Sequence, residues 1–242
     1  MNNVYIFDVD GTLTPARQRM TKEFQDYFIK WSQRNIFYLV TGSDLDKMVE
    51  QVPKDILQNA IGLFSCSGNT YHVDGMEVYN NKFNKPETLM PFLNMVLAHS
   101  KYPHRYGNHI EDRGSMVNFS IVGRDCTLEQ RQEFFEWDKK TQERERIANI
   151  IKQKCDGVDA TIGGQISIDI YDKGSDKSQV LKVIQDELYD APINDYIFIG
   201  DRTMEGGNDY PLAQLMDTMD NCKSNQVEGW EDTLKVLQEY GD

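Results

Sequence analysis

Val4-Tyr5-Ile6-Phe7-Asp8-Val9-Asp10-Gly11-Thr12-Leu13-Thr14 is the stretch whose reading decides the fold. Four apolar residues, β-branched or aromatic, read as a short buried strand, and two carboxylates at i and i+2 follow before a glycine. Alternation along the strand puts Asp8 and Asp10 on one side. Two acids so placed repel unless a cation or a shared proton lies between them, and a hard divalent ion such as Mg2+ suits oxygen donors. Gly11 permits a positive φ or a close backbone approach, and Thr12 and Thr14 bring hydroxyls and N–H groups suited to phosphate oxygens. Asp-Gly alone implies a solvated turn. The whole run behind an apolar strand implies phosphoryl chemistry.

Working outward, Thr21 is placed to cap a helix carrying Phe24, Tyr27, Phe28 and Trp31 at helical spacing. Ile36 to Val40 reads as a second buried strand, ending in Thr41-Gly42-Ser43-Asp44 before Leu45, Met48, Val49 and Val52 resume a helical period up to Pro53. A third strand is expected from Ile61 to Ser65, and a hairpin around Asp74-Gly75. Near the C-terminus, a helix from Lys177 to Tyr189 precedes the apolar strand Tyr196 to Ile199, which ends in Gly200-Asp201 and a loop with Gly206-Gly207-Asn208-Asp209. Trp230 to Tyr240 reads as a closing helix. Strands alternating with helices make a parallel sheet, and such sheets bind ligands beyond the carboxyl ends of their strands. Asp8, Asp10, Thr41, Ser43 and Asp201 are thereby expected to converge. A hydroxyl at a strand end bonds phosphate without adding negative charge, which suits Thr41; Ser43 suits capping the next helix or a place beside the substrate.

From Lys82 the pattern changes. A helix from Pro86 to Ala98, a half-exposed alternating strand from Met116 to Val122, a capping box at Thr127 to Gln130 opening one long charged helix through Ile151, and a strand from Gln165 to Tyr171 make an α+β block. The expected domains are residues 1–81 and 176–242 as an α/β core, with residues 82–175 inserted as a cap. Arg113, Arg124 and Arg131 bracket the strand and helix start, and Ser167 and Asp169 share one strand face. Arginine grips phosphate bidentately, so the three suggest a phosphate site remote from the metal; the bland alternative is pairing with this chain's many surface acids.

The 242 residues carry a net charge of −13, which argues against nucleic acid or anionic membranes as partners. No apolar run approaches the ~20 residues that cross a bilayer, and no secretory leader pattern opens the chain, so a cytoplasmic location is expected. Four scattered cysteines without a CxxC pair read as reduced thiols, not zinc ligands.

Phe7-Asp8-Val9-Asp10-Gly11-Thr12-Leu13-Thr14 resembles the nucleophile motif of the haloacid dehalogenase-like superfamily. Asn118 to Thr127 followed by Arg131, Gly163 to Asp169, and Gly200 to Asp209 are similar, in order and spacing, to segments of eukaryotic-type phosphomannomutases, while Lys101 to Asp112 departs from them. The resemblance covers nearly the whole chain. It implies a Rossmann-like core with an inserted cap, Asp8 as a nucleophile forming an aspartyl-phosphate, Asp10 as general acid and base, and Lys177 and Thr41 beside them. It implies Mg2+ held by Asp8, the Asp10 carbonyl and Asp201, with Asp209 ranked lower as a water-mediated contact. Arg17, Arg113, Arg124, Arg131, Ser167 and Asp169 fall on substrate positions, with Ser43 near them. The implied reaction interconverts mannose 6-phosphate and mannose 1-phosphate, and glucose phosphates on a broader reading, through a hexose 1,6-bisphosphate that also serves as activator. The resemblance further implies a role in mannose metabolism leading to GDP-mannose and a homodimer built through the cap. Cap closure would exclude water, with hinges near Asn81 and Gly174. A sugar-phosphate phosphatase of the same superfamily, or a silent sugar-phosphate binder, are the alternatives.

Overall fold

The computed structural model describes residues 2–240, and the chain divides into two compact units: residues 81–175, and the chain on either side of them. The first stretch of the core unit runs β1 (Asn2–Asp8), α1 (Lys22–Ser32), β2 (Ile36–Val40), α2 (Leu45–Gln51), α3 (Lys54–Asn59), β3 (Gly62–Ser65), β4 (Thr70–Val73) and β5 (Met76–Asn80). The inserted unit contains α4 (Leu89–His99), β6 (Ile110–Asp112), β7 (Val117–Ser120), α5 (Leu128–Thr141), α6 (Glu143–Lys154), β8 (Val158–Gly163) and β9 (Ser167–Asp172). The core then resumes with α7 (Gln179–Glu187), β10 (Ile193–Gly200), α8 (Tyr210–Met216), β11 (Cys222–Gln226) and α9 (Trp230–Tyr240).

The core sheet has the order β11-β10-β1-β2-β3-β4-β5, parallel from β11 through β3, with β4 and β5 added antiparallel. Alternation along β1 divides its side chains between two apolar layers. Tyr5 and Phe7 pack with Phe24, Phe28 and Trp31 of α1 and Leu237 of α9, and Val4 and Ile6 pack with Val180, Leu181 and Ile184 of α7 and Leu212 and Met216 of α8. Both faces are covered, which is why β1 reads as a continuous apolar run. Asp8 has the parity of Val4 and Ile6, so its side chain emerges on the face that α7 and α8 cover. The hairpin turns through Asp74 and Gly75 at φ 50° and 76°, as a tight primed turn requires.

Capping differs from the expected pattern at two helices. Thr21 holds the extended N-cap backbone of α1, but its side chain makes no cap bond. Asp44 rather than Ser43 caps α2, accepting from the Lys47 N–H at 3.0 Å.

The inserted unit is an antiparallel sheet, β6-β7-β9-β8, with α4, α5 and α6 supplying its apolar layer. Val117 and Phe119 of β7, Ile168 and Ile170 of β9, and Val158 and Ala160 of β8 pack with Leu89, Leu93, Phe134, Ile147 and Ile151. The opposite face presents Glu111, Asn118, Ser120, Ser167, Asp169 and Thr161, which the strand registers set side by side. Although β7 alternates as a half-exposed strand would, Asn118 and Ser120 are as buried as their apolar neighbours. They are polar because they hydrogen-bond: Asn118 donates to Asp169, and the Ser120 hydroxyl accepts from the Gly123 N–H.

The long helix expected from Thr127 to Ile151 is two helices. Thr127 and Gln130 do form the capping box of α5, but Gln142 turns left-handed at φ 52° and starts α6. Asp138, near the end of α5, caps the new helix by accepting from the Arg144 N–H at 2.9 Å and pairs with the Arg144 Nε at 2.7 Å. Arg144 reaches on to the carbonyls of Gly164 and Ser167. Periodicity alone missed this break because the helical pattern on either side is intact.

The Asp138–Arg144 pair is almost completely buried. Asp138→Ala strands a buried guanidinium and an uncapped helix, and is expected to destabilise the protein by about 3 kcal/mol in urea unfolding. A loss under about 0.5 kcal/mol, the scale of surface pairs, would mean the strut carries no load.

Candidate active site

The core chain winds from β1 through β2 and β3 in one direction and through β10 and β11 in the other, so the connection reverses between β1 and β10. Clefts open at the carboxyl ends of strands at such a reversal. Asp8 ends β1, Asp201 follows β10 and Thr41 follows β2. Asp209 stands at the N-cap of α8, and Lys177 lies two residues before α7.

These residues meet. Lys177 and Asp209 are fully buried and Asp8 nearly so. The Lys177 ammonium donates to Asp8 Oδ1 at 2.5 Å and to Asp209 Oδ1 at 2.5 Å. Asp8, Asp201 and Asp209 each offer a carboxylate oxygen, all within 4.8 Å of one another. The Arg202 N–H donates to Asp209 Oδ2 at 3.0 Å, and the Thr12 hydroxyl to Asp8 Oδ2 at 3.3 Å. Gly11 is required at its position twice over: its φ is +86°, and an added Cβ would lie 2.6 Å from Asp201 Oδ2.

Two buried carboxylates, Asp8 and Asp209, and the partly exposed Asp201 against one ammonium leave an excess of negative charge. Burial pushes the Asp8 carboxyl well above the usual carboxylate range; Lys177 opposes this, and Asp209 and Asp201 add to it. Burial and then Asp209 push Asp201 up to about 7, against the pull of Arg202, which lies 3.3 Å away, and of Lys177. Burial disfavours the Lys177 charge, but Asp209 and Asp8 outweigh it and hold the ammonium above its ordinary value. Asp8 and Asp201, raised by burial and by neighbouring acids, offer hard oxygen donors together with Asp209 and are a fit for Mg2+.

The Asp10 carboxylate does not join the three-carboxylate group. It accepts from the Arg17 N–H and from Gln51 Nε2, both at 2.8 Å, and from the Ser43 hydroxyl at 3.4 Å. The physical reason is that β1 ends at Asp8: the N–H groups of Thr12, Leu13 and Thr14 all turn back onto the Val9 carbonyl, and strand alternation stops applying. The same turn engages the Thr12 and Thr14 N–H groups that the sequence suggested for phosphate. Thr41 is buried, and its hydroxyl accepts from the Ser43 N–H at 3.0 Å. Arg17 adopts φ 61°, a left-handed conformation rare outside glycine, which turns its N–H onto Asp10. Gln51 is a residue the sequence reading passed over. The available signal was a glutamine three positions after Met48 on the buried stripe of α2.

In the inserted unit, Arg124 donates to the Ser167 hydroxyl at 2.9 Å, and Arg113 and Arg124 both reach Glu111 Oε2, at 2.5 and 3.4 Å. Asn118 donates to Asp169 at 2.6 Å. Gly163 lies across from Asp169, whose carboxylate occupies the space a Cβ would need. Arg131 is buried in the first turn of α5. Arg113, Arg124, Ser167 and Asp169 thus belong to one polar sheet face, to which Glu111 and Asn118 must be added.

Because a metal ligand must be ionised, a proton on Asp201 competes with Mg2+. Affinity for Mg2+ is expected to climb about tenfold per pH unit up to about pH 7 and then level off, read by titration calorimetry. In the metal-free protein, the folded state holds a proton on Asp201 that the unfolded state releases near the ordinary carboxylate range, so stability falls as pH rises from there to about 7. A Mg2+ affinity indifferent to pH below 7 would contradict the raised Asp201.

A family model described as eukaryotic phosphomannomutase matches residues 24–240. The chain is 34% identical to a phosphomannomutase of Spinacia oleracea, over 98% of this chain and 94% of that one. It is likewise 34% identical to a phosphomannomutase of Saccharomyces cerevisiae, over 97% and 92%. Among solved structures, a haloacid dehalogenase-like hydrolase from Bacteroides thetaiotaomicron superposes with a TM-score of 0.58 at 12% identity, covering 99% of both chains, a likeness of fold alone. With a family match running through both units and relatives aligned nearly end to end, this chain belongs to the eukaryotic phosphomannomutase family.

Proposed function

We propose that this protein is a phosphomannomutase interconverting mannose 6-phosphate and mannose 1-phosphate through an aspartyl-phosphate on Asp8. A carboxylate attacks phosphorus only if the phosphoryl charge is masked. Asp8, Asp201 and Asp209, with the Asp10 carbonyl, would hold a Mg2+ ion, which would supply that masking as a Lewis acid. Lys177 favours the ionised form of Asp8 against its burial and holds its carboxylate in place. Asp8 forms the new P–O bond as one ester bond of a hexose 1,6-bisphosphate breaks, and Asp10 protonates the departing oxygen of the hexose monophosphate. In the return step the free hydroxyl of a hexose monophosphate gives its proton to Asp10 and attacks the aspartyl-phosphate, rebuilding the 1,6-bisphosphate and freeing Asp8. Arg17, Ser43 and Gln51 fix Asp10 for both proton transfers. Thr41 bonds a transferring phosphoryl oxygen.

The observation that carries a mutase over a phosphatase is the polar face of the inserted sheet. Hydrolysis needs one phosphate site; interconversion through a hexose 1,6-bisphosphate needs a second, to hold the phosphate that is not reacting. Arg113, Arg124 and Arg131 are assigned to that phosphate, and Ser167 and Asp169 to its neighbouring hydroxyls. The inserted unit is accordingly assigned the role of a specificity cap, and hexose 1,6-bisphosphate the role of activator.

A cytoplasmic homodimer completes the proposal. No helix among the described residues is long and apolar enough to cross a membrane. A groove of about 710 Å3 between α4 and α6, lined by Phe92, Met95, Val96, Ile147 and Ile150, supports pairing through the cap.

Hexose 1,6-bisphosphate is expected to stimulate the wild-type enzyme with little release of inorganic phosphate; steady release would establish a phosphatase instead. Asp8→Asn is expected to abolish turnover while leaving the thermal unfolding profile cooperative, and retained activity would remove Asp8 from the nucleophile's role. Arg124→Ala should depress interconversion at least about a hundredfold, the scale of a lost charge-assisted phosphate contact, while sparing hydrolysis of a small aryl phosphate. Equal losses on both substrates would remove the distal phosphate site.

A further inference from the structure

The arginines assigned to the distal phosphate are not without a counter-charge of the protein's own. Glu111, the middle residue of β6, projects onto the polar sheet face beside Asn118. Its Oε2 accepts from Arg113 Nη2 at 2.5 Å and lies 3.4 Å from Arg124 Nη2. Both guanidinium groups are buried, at 4% and 8% exposure, whereas the glutamate is 29% exposed. Arg113 sits at the turn between β6 and β7, and Arg124 beyond the far end of β7, so one carboxylate oxygen draws together side chains from opposite ends of the hairpin. Ser167 accepts the other guanidinium nitrogen of Arg124 at 2.9 Å.

An anion held against two buried arginines is what a bound phosphate would be. We propose that Glu111 is a built-in phosphate mimic that keeps Arg113 and Arg124 aligned when no substrate is bound and weakens their grip when one is. This rests on the distal phosphate site proposed above and adds a determinant of how tightly it holds. Without a neighbouring carboxylate, buried arginines would bind a dianionic phosphate strongly in a weakly screened site. A mutase that must let its bisphosphate turn over gains from a clamp that is ordered but partly neutralised. Glu111 acts on the phosphate only through the two arginines it pairs with, so it is a positioning residue.

Glu111→Gln keeps the shape and an acceptor for Arg113 but removes the charge. Inorganic phosphate, titrated calorimetrically in metal-free buffer where the core carboxylates repel anions, is expected to bind this variant about tenfold more tightly than wild type, the scale of removing one repulsive charge a few ångström away. KM for the hexose phosphate should fall with kcat, because the bisphosphate is released more slowly. Glu111→Asp, which keeps the charge, should stay near wild type in phosphate affinity. A purely structural glutamate predicts the opposite sign, with weaker phosphate binding and a raised KM in Glu111→Gln, and that result overturns the proposal. Arg124→Ala separates the two readings. If it abolishes phosphate binding while Glu111→Gln leaves it unchanged, the clamp stands and the mimic falls; if phosphate binding ignores Arg124→Ala, the clamp and the mimic fall together.

Discussion

Asp8, Asp209 and Lys177, shut away from water beside the partly exposed Asp201 at the ends of adjacent strands, are a costly arrangement, and the surrounding structure is shaped to tolerate it. Each charge there would be severely penalised alone. Lys177 balances Asp8 and Asp209 directly, and Asp201 is left to Arg202 and to whatever cation the site binds. Gly11 and Gly200 stand where a side chain would strike Asp201 and Asp209, so the carboxylates crowd closely only because the backbone beside them is bare. The tension this leaves is visible in the raised Asp8 and Asp201, and a divalent ion would relieve it.

The two units answer different chemical demands. The core sheet spends both faces on apolar packing and keeps polarity for its strand ends, as a parallel sheet must. The inserted sheet is asymmetric, with helices against one face and Glu111, Asn118, Ser167 and Asp169 across the other. Antiparallel pairing permits that asymmetry, because hairpin connections do not require helices on both sides. On the proposed reading, the strand ends do the bond making, and the sheet face does the recognition.

Much of this was legible before any coordinates. The core strands from β1 to β3 and β10, the Asp74-Gly75 turn, the closing helix and the meeting of Asp8 with Asp201 follow from apolar runs and from where carboxylates fall after them, whereas Lys177 came only with the family resemblance. What escaped had weak local signal. β6 is three residues long, and β11 reads Cys-Lys-Ser-Asn-Gln with no apolar run. β8 carried a readable alternation, Val158, Ala160, Ile162, that was passed over. The separation of Asp10 from the three-carboxylate group depends on a turn closing onto one carbonyl, which spacing does not encode. The contact of Asp209 with Lys177 has no sequence signal, because it depends on the N-cap of α8 standing beside the start of α7. Glu111 was hidden for a different reason: one acid among 39 gives no hint that it faces two arginines.

The break at Gln142 sets a limit on how this architecture can vary. Arg144 binds Asp138 on one helix and the carbonyls flanking the start of β9 on the other side, tying the outer layer to the strand that carries Ser167 and Asp169. An insertion or deletion between α5 and α6 would drag that guanidinium along and tilt the edge of the sheet that carries Ser167 and Asp169. Length changes in the lineage of this chain should therefore be scarce at the helical joint.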